Sequence, residues 1–204
     1  MGPAAALLLV MGPMLAQELG PATDFEWELQ TPDRTLFRDR TLIGSVPLEQ
    51  GPSQKGKRKK SKTRTPEALA LYTDMAFVPG DTVRYFGANL VLQDEEESLA
   101  FVILDPDELA PFQEALRYLL KTAENIRDSQ RSDTQILFRG KSDWKVVFRQ
   151  QGTQQRTEIY FPAKNSEKEQ RRELQAAQVS ALADLVDAAI TSLKRQGALP
   201  EETP

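Results

Sequence analysis

A chain of 204 residues, 40% hydrophobic and 27% charged, has the size and composition to bury a core of its own. It contains no cysteine and no histidine. That excludes disulfides, thiolate nucleophiles, sulfur-ligated zinc, iron–sulfur clusters and every Ser-His-Asp or Cys-His catalytic arrangement within the chain. Its formal charge of −4 is unevenly spread, because seven cations fall within residues 54–64 and leave the remainder strongly acidic. An acidic body repels polyanions at low salt.

The chain begins with an apolar run. The thirteen residues Ala4–Ala16 carry no charge and are apolar apart from Gly12 and Pro13. They are too few to span a bilayer as a helix, where about 20 are needed. Their length fits the core of a secretory signal, with Ala16 as the small residue before the cut. The expectation is export to the periplasm or the medium as a protein of bacterial type beginning at Gln17, although no Lys or Arg precedes the run and Met14 is large for its place. No later stretch reads as a transmembrane segment.

Residues 17–49 read as N-terminal strands. In DFEWELQ (24–30), Phe25, Trp27 and Leu29 alternate with acids, the period of a half-buried strand. RTLFRDRTLIGSVPL (34–48) predicts one or two further strands broken near Gly44 and Pro47. A linker follows over 50–66, with no large apolar residue to repay its ordering entropy, and it is expected to be disordered. Its cations are Lys55, Lys57, Arg58, Lys59, Lys60, Lys62 and Arg64. Clustered charge among small residues suits a polyanion-binding arm, and without aromatics it would bind charge rather than sequence. A solvated loop, or an arm folded onto the acidic body, explains the same composition.

The main domain is placed at 67–197 and a disordered tail at 198–204. ALALYTDMAFVPG (68–80) fits a helical turn or a strand. TVRYFGANLVLQ (82–93) and SLAFVIL (98–104) predict strands joined by an acidic turn at 94–97, the second apolar enough for a central strand covered on both faces. That turn, DEEE, lacks the spaced oxygen ligands and glycine of a cation loop and reads as a solvated hairpin tip. Asp105 can cap the helix that follows and Pro106 suits its first turn, while Pro111 suggests that regular helix starts only near that residue. Leu109, Phe112, Leu116, Leu119, Leu120 and Ala123 mark its buried face.

Three strands come next, TQILFR (134–139), WKVVFR (144–149) and TEIYF (157–161), linked by Gly-containing polar turns. Their aromatics, Phe138, Trp144, Phe148, Tyr160 and Phe161, sit among Arg139, Lys145 and Arg149. Alternation puts Trp144, Val146 and Phe148 on one face, so the aromatics are expected to face the helices and the basic residues water. A final helix runs to about Gln196 and stops at Gly197, with Ser166 and Glu169 as a possible capping box and EKEQRRE as a frayed or separate first turn. A shift of 70 residues lays Leu109, Phe112, Leu116, Leu120 and Ala123 onto Val179, Leu182, Val186, Ile190 and Leu193, the mark of a strand–strand–helix unit used twice or of any two amphipathic helices.

The fold class expected is therefore α+β, a mainly antiparallel sheet with two long amphipathic helices on one face. Over residues 82–195 this layout resembles the sheet-plus-helix repeats of Whirly- and Pur-type single-strand nucleic-acid binders. The resemblance is topological, without signature residues, and implies nucleic-acid binding on an exposed sheet. Neither a phosphate-binding loop nor an activated serine is present: VPGDTVRYFG lacks the lysine of a P-loop, and Ser45 has no histidine partner. No catalytic residue, cofactor or metal ligand is assigned. The leading expectation is a non-enzymatic exported binding or envelope-associated protein whose basic segment contacts a glycan, a lipid headgroup or nucleic acid. An intracellular single-strand nucleic-acid module is the alternative, and a carboxylate-dependent hydrolase the third.

Overall fold

The computed structural model describes residues 23–31, 34–48, 66–95, 97–163 and 169–200. The apolar run Ala4–Ala16, the seven cations of 54–64, Ser166 and the last residues of the tail lie outside them.

The fold is α+β, with all strands antiparallel. They form two four-stranded meanders rather than one sheet. The first contains β1 (Phe37–Leu48), β2 (Glu67–Phe77), β3 (Tyr85–Gln93) and β4 (Ser98–Leu104), in that order. The second contains β5 (Arg131–Arg139), β6 (Lys145–Gly152), β7 (Gln154–Phe161) and β8 (Gln170–Leu174), again in chain order. Each meander runs into a long helix, α2 (Pro106–Ile126) after β4 and α3 (Ala176–Arg195) after β8. A short α1 (Asp24–Gln30) precedes β1.

The shift of 70 residues holds at the helix starts. Asp105 and Gln175 are the two N-caps, and in each case the side chain three residues on reaches back to the cap's own N–H: Glu108 accepts from Asp105 at 2.9 Å and Gln178 from Gln175 at 2.7 Å. That is one half of a capping box, built with an acid in one unit and an amide in the other. The helices are joined by Gln113, whose amide donates to Asp187 at 2.7 Å. The inner faces of both sheets share one core with them, including Leu69, Leu90, Phe112, Phe148, Ile159 and Val186. At the end of α2, where the last carbonyls of a helix lack partners, buried Gln150 donates to the carbonyls of Ile126 at 3.0 Å and Ser129 at 2.7 Å.

Several expectations are corrected. DFEWELQ is a helix, not a strand, with Thr23 Oγ1 accepting from the Glu26 N–H at 3.1 Å. Phe25 and Leu29 share a face under either period, and only exposed Trp27 separates the two. Residues 37–48 form one strand, because a register shift between Leu42 and Gly44 absorbs the break and Pro47 sits on an edge strand that needs no donor there. β1 and β2 are neighbours in one sheet, so the strand before the basic segment belongs to the same body as the strand after it. SLAFVIL is an edge strand, apolar because Val102 and Leu104 face the main core while Phe101 and Ile103 pack with α1. α2 starts at Pro106 and continues through Pro111. QRREL within the charged stretch is a strand, β8, and α3 is capped by Gln175 instead of Ser166. The ambiguous segment at 68–80 is the central strand β2.

α3 ends as read, with Gly197 left-handed at φ +77°. Its 20 residues, mean hydropathy 1.2 over the most apolar window, are long and apolar enough to cross a bilayer by length and composition, against the reading of no such later stretch. In the fold, Val179, Leu182, Val186, Ala189 and Leu193 spend that apolar character on the core.

Candidate binding face on the second sheet

Side chains alternate across a strand, so each sheet has an inner and an outer face. On the second sheet the inner face carries Phe138, Val146, Phe148, Ile159, Phe161 and Leu174, all in the core, with Trp144 leading into β6. Phe112 stacks on Phe138 and meets Trp144 edge to face, with the three ring centroids 4.6–5.3 Å apart. The aromatics thus face the helices, as alternation predicts, with one exception. Tyr160 lies on the other face.

Register places the outer residues in rows across the strands. One row reads Arg139, Lys145, Tyr160, Arg171. The next reads Leu137, Val147, Glu158, Glu173, and the third Gln135, Arg149, Arg156. Five cations therefore share a face with two carboxylates, in a chain that is acidic overall. Arg139, Arg149, Arg156 and Arg171 are exposed, Arg156 and Arg171 at 50% and 55% of their side chains. α2 and α3 occupy the inner side and α1 packs on the first sheet, so no described helix covers this surface.

Glu158 organises the middle of the face. Its carboxylate is buried and accepts from the Tyr160 hydroxyl at 2.8 Å, while Arg156 lies 2.9 Å and Arg171 3.4 Å away. Tyr160 and Glu158 in turn hold the Arg171 guanidinium charged. Lys145 sits 4.6 Å from the Tyr160 ring centre and 3.2 Å from Glu169. Among the described residues Arg139 and Arg149 carry no ion pair. The result is a rigid, partly neutralised centre flanked by cations with unspent charge, and an aromatic ring fixed among them.

The seven cations of the basic segment, Lys55, Lys57, Arg58, Lys59, Lys60, Lys62 and Arg64, lie outside the described residues, so they are not placed relative to this face. Tyr160, expected among the aromatics that face the helices, is on the outer face instead, and Arg156 and Arg171 carry no local signal of binding, the role of Arg171 depending on β8, which is hidden inside a charge run. The acidic turn is a hairpin tip, Asp94 accepting through its carboxylate from the Glu97 N–H at 2.8 Å. Elsewhere the buried polar groups are structural. Asp74, fully buried, accepts from Arg40 at 2.8 Å and from Arg38. Asp105 accepts from the first two N–H groups of α1 and from Lys141, pinning α1 to the start of α2. No group of three or more acidic side chains among the described residues is arranged to hold a metal ion.

No protein-family model matches this chain, and no curated protein matches it significantly.

Proposed function

We propose that this protein is a non-enzymatic binding module whose outer face on the second sheet holds an anionic chain, and that single-stranded nucleic acid is the chain it fits best. The observation that carries this reading is the row Arg139, Lys145, Tyr160, Arg171 on a face that no described helix covers. Cations spaced across a sheet meet successive phosphates, and an aromatic ring or an Arg plane among them stacks an unpaired base. A duplex keeps its bases stacked on each other and would use only the charges. The seven cations of 54–64 would add affinity for charge without selecting sequence.

Tyr160 tests this. Tyr160→Ala should weaken binding of a fluorescent single-stranded oligonucleotide by about 1–3 kcal/mol, the range for one stacked base, and Tyr160→Phe should retain most of it. Equal binding by all three proteins would remove stacking from the account.

A second reading is favoured by the apolar run Ala4–Ala16: an exported protein whose basic residues meet a surface glycan or anionic headgroups. Its test is the intact mass from separated cell fractions. A periplasmic or secreted species beginning at Gln17 supports it, and a full-length cytoplasmic species removes it.

A further inference from the structure

An edge strand offers a row of unpaired main-chain groups to any other strand unless something blunts it. Three of the four edges here are managed. β1 carries the Leu42/Gly44 irregularity and Pro47. β8 is five residues long and mostly charged, and β4 lies against β7 of the other sheet. β5 is irregular only at its start, between Arg131 and Thr134: from Thr134 to Arg139 it pairs with β6 in unbroken register, and no described strand flanks its other side. The Gly140 N–H donates to the Trp144 carbonyl at 3.0 Å, so by alternation the even-numbered main-chain groups from Thr134 to Arg139 point to β6 and the odd-numbered ones to the open edge. Beside that edge runs an apolar groove of about 530 Å³ between α2 and β5, lined by Phe112, Ala115, Tyr118, Leu119, Ile136 and Phe138. Tyr118 and Leu137, which both border it, are 62% and 49% exposed.

We propose that β5 pairs antiparallel with β5 of a second copy of this chain, about a two-fold axis at Ile136, to make one eight-stranded sheet. The sequence of the strand selects the register. With Ile136 opposite itself, Gln135 faces Leu137, Thr134 faces Phe138, and Asp133, at the edge of the irregular start of the strand, comes opposite Arg139 at both ends. A two-fold interface thus gains two opposite-charge pairs from one strand. The neighbouring register centred on Gln135 takes Asp133 away from Arg139 and sets it against Leu137. The one centred on Leu137 sets Asp133 against Lys141, whose ammonium already lies 3.0 Å from Asp105 and 2.9 Å from Asp107. The pairing brings the two apolar grooves together and takes Arg139, at the end of the outer-face row, into its charge pair with Asp133.

The absence of cysteine from the chain makes the test clean. In this register residue 136 meets its own copy as a non-hydrogen-bonded pair, with Cα atoms about 4.5 Å apart, within disulfide reach. Mild oxidation of full-length Ile136→Cys should give a disulfide-linked dimer, and Thr134→Cys, which faces Phe138, should not. Sedimentation equilibrium should show a wild-type dimer. Asp133→Arg should weaken it about tenfold or more, and adding Arg139→Asp should restore it. A monomeric wild type at concentrations on the order of 100 µM would overturn the proposal. So would equal cross-linking at 134 and 136, or a dimer indifferent to both charge reversals.

Discussion

Two buried carboxylates respond to pH in opposite directions. Burial alone would raise the Asp74 carboxyl, but hydrogen bonds and charge from Arg40 and Arg38 override it and hold the group below its ordinary 3.8. Its contribution is therefore present above 3.8 and lost as pH falls through the lowered value. Glu108 is pushed above its ordinary 4.5 by burial, against N–H donation from Lys141 and Asp105. Its contribution is present below 4.5 and lost as pH rises through the raised value. Urea unfolding across pH should show Asp74→Asn removing part of the acid limb, and Glu108→Gln removing part of the decline above pH 4.5. At neutral pH Asp74→Asn should cost about 1.5–3 kcal/mol, the range for hydrogen bonds to charged groups. Identical profiles for wild type and both variants would contradict this assignment.

At the scale of elements, α1 is held by shape as much as by its cap. A Cβ added at Gly87 would lie 2.6 Å from the Phe25 ring, so β3 needs glycine there for the helix to seat. Gly87→Ala should cost about 1–3 kcal/mol in chemical unfolding, and an emission change from Trp27 should report the displaced helix. An unchanged midpoint would mean that Phe25 moves aside freely. The same element shows what could be read from the residues and what could not. The long helices, Asp105 as a cap, Gly197 as a stop and most strands were legible, because periodic burial and capping chemistry are local. α1 was misread from its period, although Thr23 three residues before Glu26 already spelled a helix start. β8 was missed since a five-residue charged strand is specified by its pairing with β7, which no local pattern shows. The division of the strands into two sheets is likewise a long-range property. Of the candidate face, the outward direction of Lys145 and Arg149 was legible from alternation, whereas the position of Tyr160 beside Arg171 needed the cross-strand register.

At the scale of the molecule, two groups of cations in this acidic chain bear on binding, the seven that the sequence clusters in residues 54–64 and the five on the outer face of the second sheet. Charge balance alone cannot tell them apart, but salt dependence can. Binding through phosphates falls with salt by about 0.7 in log K per log salt for each single-strand phosphate neutralised. The decisive measurement is the affinity of the full chain for a labelled single-stranded 20-mer over a salt series, repeated for Arg139→Ala/Arg149→Ala and for a deletion of residues 54–64. Binding on the sheet predicts that the double variant loses about 1.4 from the slope with its melting transition intact, and that the deletion still binds. An unchanged slope in the double variant, with binding abolished by the deletion, would place the contact on the basic segment and contradict the role assigned to the face.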